Sequence, residues 1–284
     1  MKKQVFLLLL TLCALTGLRA QSQSKNAPIN VLSFNLRMDT PDDKENAWPN
    51  RKEMVSELLQ FHDADIIGTQ EGFRHQLQDI ISGSAAYAFV GVGRDDGKEE
   101  GEHSAIFYRK DRFTVLSKGN FWLSQTPEQP SYGWDAKIRR ICSWAQFRDQ
   151  QTGKTFYCFN VHYDHQAPVA RLESSKLLLA RIKSIAGQSP VICTGDFNAT
   201  PTDEPIAYIL NNGPLKDSCS LSVTPPYGPQ GTFQSFKTDA PMQNRIDYVF
   251  VSPGIQILKY GVLTDIRYGR FPSDHCPVLV RLRL

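Results

Sequence analysis

Six short segments carry polar residues that could do chemistry. Asn35 lies in Ser33-Phe-Asn-Leu36, and Glu71 follows Gln70. His162 and Asp164 lie in Asn160-Val-His-Tyr-Asp-His165, and Asp196 and Asn198 in Gly195-Asp-Phe-Asn198. Asp247 lies in Arg245-Ile-Asp-Tyr248, and Asp274 and His275 in Ser273-Asp-His-Cys-Pro277. Most of them end an apolar run, where hydrophobicity does not account for them. Carboxylates and carboxamides are hard oxygen donors that suit Mg²⁺ or Mn²⁺. Imidazoles beside carboxylates suit proton transfer and the stabilisation of a charged phosphate.

Each residue alone has a plainer reading. Asn35 is a turn cap, and Glu71 is an acid in the first turn of a helix. Asp196 and Asn198 form an Asx turn before Pro201. His162 is a satisfied core histidine, and Asp247 is an ion-pair partner of Arg245. The set as a whole points further, because strand ends are where an α/β scaffold carries a site.

Those strand ends need strands. Ile29 to Leu36 is an apolar run suited to burial on both faces. A helix is expected from Pro49 to Phe61, with Met54, Val55, Leu58 and Leu59 at helical spacing. A strand at Asp65–Gln70 and a helix around Leu77, Ile80 and Ile81 follow. Short strands are expected at Tyr87–Val92, Ala105–Arg109 and Phe113–Leu116. Ile141–Phe147 and Thr155–Val161 read as a hairpin around a turn containing Gly153. Ala170–Ala186 is the clearest helix, and Pro190–Thr194 the next strand. Arg245–Val251, Ile255–Leu263 and Val278–Leu284 complete the pattern. Each half opens strand–helix–strand, which suggests two stacked sheets with helices outside.

The first twenty residues read as a secretory signal peptide: Lys2 and Lys3, then an apolar run centred on Leu7–Leu10, then Arg19-Ala20. The run is short for a membrane span. The other reading is an uncleaved anchor or a buried helix. Leu12 before Cys13 argues against lipidation. Export to the periplasm or the medium is therefore expected, with a flexible leader over 21–28 and one catalytic domain over 29–284. The whole chain carries 32 Lys plus Arg against 29 Asp plus Glu. Loss of Lys2, Lys3 and Arg19 would leave it formally neutral, which disfavours a dedicated nucleic-acid binder. Cys142, Cys158, Cys193, Cys219 and Cys276 would remain. That odd number cannot all pair, and the first three sit in apolar runs as buried thiols. The absence of a CxxC pair argues against a zinc-finger type of site.

In this order the segments resemble the endonuclease/exonuclease/phosphatase superfamily, which includes DNase I-like nucleases and sphingomyelinases. The likeness runs from Val31 to Val280, and Gly195-Asp-Phe-Asn198 with Ser273-Asp-His275 is its most specific pair. Phe121-Trp-Leu-Ser124, Thr126-Pro127, Gly133-Trp-Asp135 and Asp164-His-Gln166 are similar to segments of a bacterial group of metal-dependent hydrolases. The resemblance implies a four-layered α/β sandwich. It implies Glu71 as principal metal ligand with Asn35 beside it, and Asp196 positioning or deprotonating water. It implies Asn198 holding a phosphate oxygen or a second metal. His275 would contact the phosphate and is also a candidate metal ligand, with Asp274 orienting it or helping the metal site. His162 would stabilise the phosphorane or protonate the leaving oxygen, with Asp247 fixing its tautomer. Gly195-Asp-Phe-Asn198 is not followed by a Tyr-Arg pair, and no Trp-Cys-Asp-Arg precedes Asp247. Both absences argue against an inositol lipid.

The substrate is less defined, because specificity resides in loops. Asn120–Ile138 carries Trp122, Tyr132 and Trp134, which either stack on a sugar, base or headgroup or pack on their own domain. His103 either lines the site or is a solvated loop histidine. Arg140 either reaches a phosphate or forms a structural ion pair, and His165 is a candidate third imidazole. The favoured function is hydrolysis of a small or sugar-linked phosphate ester, by a phosphodiesterase or phosphatase. An exported nuclease and a noncatalytic binding protein are the alternatives.

Overall fold

The computed structural model describes residues 26–284. The expected export segment, Cys13 and most of the expected leader lie outside the described residues. At the leader's end, the Asn26 carbonyl accepts a hydrogen bond from Arg283 Nε at 3.1 Å.

The chain order is β1 (Ile29–Asn35), α1 (Lys52–Phe61), β2 (Ile66–Gln70), α2 (Arg74–Gly83), β3 (Tyr87–Val90) and β4 (Ile106–Arg109). Then come β5 (Phe113–Trp122), β6 (Ile141–Asp149), β7 (Thr155–His162), α3 (Pro168–Ala186), β8 (Val191–Asp196) and α4 (Glu204–Asn212). The rest is β9 (Lys216–Asp217), α5 (Ser218–Leu221), β10 (Asp247–Val251), β11 (Gln256–Val262) and β12 (Val278–Arg283). Two six-stranded sheets form, in orders β11-β12-β1-β2-β4-β3 and β5-β6-β7-β8-β10-β9. The pairs β1–β2 and β7–β8 are parallel, each joined by one of the strand–helix–strand units expected above; the other pairings are antiparallel. The sheets stack on a core that includes Val31, Ile66, Phe147, Ile192 and Val280. Helices α1 and α2 cover one outer face and α3 and α4 the other. This is the four-layered α/β sandwich.

Local sequence explains the layers. In α1, Val55, Leu58 and Leu59 are buried at spacings of three and four, as one apolar stripe requires. In α3 the buried stripe runs Ala170, Ser174, Leu178, Ile182, Ala186. Asp135, in the loop between β5 and β6, accepts from the free N–H groups of Val169 and Ala170 at the α3 N-terminus. Strand β5 runs on to Trp122, so the start of the presumed irregular loop is strand. Among the described residues no helix is long and apolar enough to cross a membrane. The five cysteines from Cys142 onward are all free.

A polar seam joins the two sheets beneath the site. Asn160 Nδ2 donates to the carbonyls of Thr69 and Ala105 at 2.8 and 2.9 Å. Its Oδ1 accepts from Gln70 Nε2 at 2.7 Å and from Thr194 Oγ1 at 2.9 Å. Ser33 Oγ accepts from the Gly195 amide across the same gap. The seam needs Gly68, where a Cβ would lie 1.9 Å from Thr194 Oγ1 and 2.5 Å from Asn160 Oδ1. Gly68→Ala is therefore expected to cost about 1–3 kcal/mol, at roughly 2–4 °C of Tm per kcal/mol for a chain of this size. A melting curve checks this, and an unchanged Tm would mean that the sheets can part here freely.

Candidate active site

The strand ends converge on one edge. Asn35 pairs in register with Gln70, and Glu71 is the next residue. His162 pairs with Asp196, and Asp196 pairs with Asp247 on its other flank. Asp274 and His275 come from the loop before β12. That loop is anchored by Ser273 Oγ, which donates to the Asn35 carbonyl at 2.6 Å. Arg51 anchors it further: its buried guanidinium donates to the carbonyls of Leu36, Arg37 and Pro272. Each sheet thus supplies part of one cluster.

One carboxylate oxygen lies at its centre. Asp196 Oδ2 accepts from Asn35 Nδ2 at 3.0 Å, and lies 3.6 Å from His162 Nε2 and 3.8 Å from His275 Nε2. Asp196 Oδ1 accepts from the Asn198 amide, so the Asx turn exists and is part of the site. Burial, with the Asp247 charge beside it, pushes the Asp196 carboxyl up to about 7 against the pull of His275. Asn35 Nδ2 also donates to Glu71 Oε1 at 3.0 Å, and the Met38 amide donates to Glu71 Oε2. Burial would raise Glu71, but His275 and these hydrogen bonds outweigh it and hold it below its ordinary value. Glu71 and Asn198 both have left-handed φ, at 64° and 46°. Non-glycine residues adopt this only where surrounding contacts impose it, a common feature of functional sites.

The two histidines are in opposite states. His275 Nδ1 pairs with Asp247 Oδ2 at 2.9 Å. Burial would lower its pKa, but Asp247, Asp196 and Asp274 outweigh that and hold it well above its usual range. These carboxylates favour the imidazolium, whose Nε2 lies 3.8 Å from Asp196 Oδ2. Phe233, partly exposed, meets this ring edge to face at 4.9 Å. His162 faces Arg140 instead, with Nη1 to Nδ1 at 2.9 Å. Burial, then the Arg140 and Arg94 charges, push its pKa well down. It is neutral, with its proton on Nε2 because guanidinium only donates.

These contacts correct several expectations. Asp247 orients His275, not His162. The reason is topological: β8 lies between β7 and β10, two strand spacings of about 4.8 Å each. Burial and the Arg140 charge favour neutral His162, which makes it a weak acid toward a leaving oxygen. His275 also falls in a second group of possible ligand atoms, with Asp196 and Asp247, where its raised pKa opposes a cation. Arg245 pairs with Asp217 at 2.6 Å rather than with Asp247. Arg140 spends its terminal nitrogens on His162 and His165, not on an open phosphate pocket. Trp122 is buried and donates to the Arg94 carbonyl at 2.7 Å, so it packs on its own domain. His103 is buried rather than solvated, and pairs through its backbone with Gly72 and Gly93. Trp134 remains partly exposed in its loop, and His165 is exposed. Asp164 Oδ1 accepts from the amides of Gln166 and Ala167, a turn role, while Asp274 Oδ2 lies 3.9 Å from Arg37 Nε.

Sequence reasoning missed Arg51, Phe233, Arg94 and Glu102. Glu102 is buried against Arg94 and lies 3.8 Å from His162 Nδ1. Burial pushes it up to about 7 despite Arg94. Its signal in the sequence is Gly101-Glu-His-Ser104, where the carboxylate sits beside the histidine.

The donor set fits a divalent cation. Atoms of Glu71, His162 and Asp196 lie within 4.8 Å of one another. Buried Asp196 and partly buried Glu71 lie close there and share one neutral amide, Asn35, so a cation between them would offset two like charges. That amide turned about its last bond would present oxygen in the same place. With His162 protonated on Nε2, the ligands are oxygens, which suits Mg²⁺ or Mn²⁺ over softer ions.

Known proteins resemble this chain along most of its length. The endonuclease/exonuclease/phosphatase family pattern matches residues 32–275. A mannosyl-6-phosphatase of Bacteroides thetaiotaomicron is 44% identical, with TM-score 0.86, over 89% of this chain and 99% of that one. A second protein of that organism, described only by the same family, is 43% identical, with TM-score 0.88, over 91% and 98%. An uncharacterized protein of Acanthamoeba polyphaga mimivirus is 26% identical over 82% of this chain and 91% of its own length.

Proposed function

This chain belongs to the endonuclease/exonuclease/phosphatase family, and on that footing we propose that it hydrolyses a phosphate monoester on a small sugar with a divalent cation. The observation that carries the reading is Asp196 Oδ2, set among three nitrogen donors and beside Glu71. Glu71 and Asn35, with Asp196, would hold the cation, which when bound neutralises developing charge on the phosphoryl group. Asp196 accepts the proton of the attacking water, and the sugar oxygen released as the P–O bond breaks departs as the alcohol with a proton from solvent. Neutral His162 donates from Nε2, and the His275 imidazolium from its own Nε2, to phosphoryl oxygens in the transition state. Asp247 keeps His275 charged and aimed.

The sugar monoester rests on three supports. A relative 44% identical over nearly its full length is a mannosyl-6-phosphatase. The exported chain would be formally neutral, unlike a nucleic-acid binder. Trp134 offers a partly exposed aromatic face in the loop that caps α3. Export is part of the proposal, and N-terminal sequencing of the secreted protein should begin near Gln21.

The test is phosphate release from mannose 6-phosphate and other hexose phosphates, beside bis(4-nitrophenyl) phosphate and single-stranded DNA. Turnover confined to the monoesters is expected. Turnover of DNA alone, falling steeply with salt, would replace this reading with a nuclease.

The raised Asp196 predicts how cation binding depends on pH. Between its ordinary value of 3.8 and about 7, the folded chain holds a proton there that the unfolded chain has lost. In the cation-free protein this contribution to stability therefore falls as pH rises through that window. A cation must displace the proton below about 7 and meets a bare carboxylate above it. Mn²⁺ at ~100 times its Kd should stabilise by about 2.7 kcal/mol, about 5–10 °C of Tm at pH 8. At pH 5.5 the shift should be less than half of that. Equal shifts at both pH values would take Asp196 out of the cation site.

A further inference from the structure

Arg140 is buried at the start of β6, where its carbonyl accepts from the Leu123 amide at 2.8 Å. Its guanidinium lies between two imidazoles. Nη1 is 2.9 Å from His162 Nδ1, and Nη2 is 3.1 Å from His165 Nδ1. Guanidinium has no acceptor, so both contacts require a bare Nδ1 and place each ring proton on Nε2. The third edge of the fork is less engaged: Nε lies 3.7 Å from Asp164 Oδ2, and neither atom has a hydrogen-bond partner. Glu102, the nearest carboxylate to His162 Nδ1, lies beyond hydrogen-bond range at 3.8 Å. No acceptor therefore competes to place the proton on Nδ1.

We propose that Arg140 is a positioning residue that fixes His162 and His165 as Nε2–H tautomers, making His162 a pure hydrogen-bond donor to the phosphoryl group. His165, exposed on the rim of the same clamp, presents a second Nε2–H to the substrate beyond the phosphate. The inference rests on the hydrolase reading only for what the donors act upon. The tautomers themselves are properties of the free protein.

The first arm uses no substrate. Two-bond ¹H–¹⁵N correlation spectra of histidine-labelled protein separate the neutral tautomers. His162→Gln and His165→Gln identify the signals. Both rings should show bare Nδ1 and protonated Nε2 at pH 7.5. A proton on His162 Nδ1 would overturn the proposal, whatever the activity. The second arm is kinetic, on whichever ester the wild type hydrolyses. Arg140→Gly should lower kcat by about 10² with KM little changed, and added guanidinium should restore both kcat and the Nε2–H pattern. A raised KM with kcat intact would instead make Arg140 a phosphate-binding residue and refute the clamp. Arg140→Lys keeps one donor, and should preserve the tautomer of one ring while releasing the other. Failure of the wild type to hydrolyse any ester would sink the functional reading and leave the spectral result standing.

Discussion

Asp247→Asn is expected to lower kcat by about 10³–10⁴ with the fold retained. A carboxylate that orients a catalytic imidazole and stabilises its charged form is worth that much in the serine-protease triad, and here it holds His275 Nδ1 at 2.9 Å. The buried His275 owes its charge chiefly to Asp247, since burial alone would discharge it. An asparagine keeps the shape and removes that charge. The neutral ring then donates more weakly to a phosphoryl oxygen, and the loss should appear in kcat more than in KM. Steady-state kinetics beside a melting curve check this. A variant with near wild-type kcat would show that His275 works without its charge.

Glu71→Gln should abolish both the response to cation and most turnover. Glu71 accepts from Asn35 and from the Met38 amide, and a glutamine keeps one acceptor in place, so folding should survive. What it loses is the anionic ligand facing Asp196. Lewis-acid stabilisation of a phosphoryl transition state is worth several kcal/mol, so kcat should fall by about 10²–10⁴ at 1.36 kcal/mol per decade. The Mn²⁺ shift in Tm at pH 8 should vanish with it. A variant that kept the full shift would place the cation elsewhere.

Much of this was legible because strands advertise themselves. Buried strands such as β1, β2, β7 and β8 read as apolar runs, and polar residues at their ends stand out against them. Asn35, Glu71, His162, Asp196, Asp247 and His275 were found that way, and the structure brings all six together. Partners were not legible in the same way. Which imidazole Asp247 meets depends on strand order, and β10 flanks β8 on the side away from β7. Arg51 has no local signal, because its partners are carbonyls of segments distant in sequence, such as Pro272. Trp122 belongs to a strand that outruns its apolar pattern, since β5 alternates buried and exposed residues before ending in Phe121 and Trp122. The nine-residue α4 was missed because it is short and carries Pro205 in its first turn.

The measurement closest to the central claim is release of inorganic phosphate from mannose 6-phosphate by the wild-type protein, before chelator, after it, and after Mn²⁺ is restored. The expected result is release that stops with chelation and returns with the ion. Release that chelator leaves untouched would contradict the claim, as would no release while a Tm shift shows the ion bound.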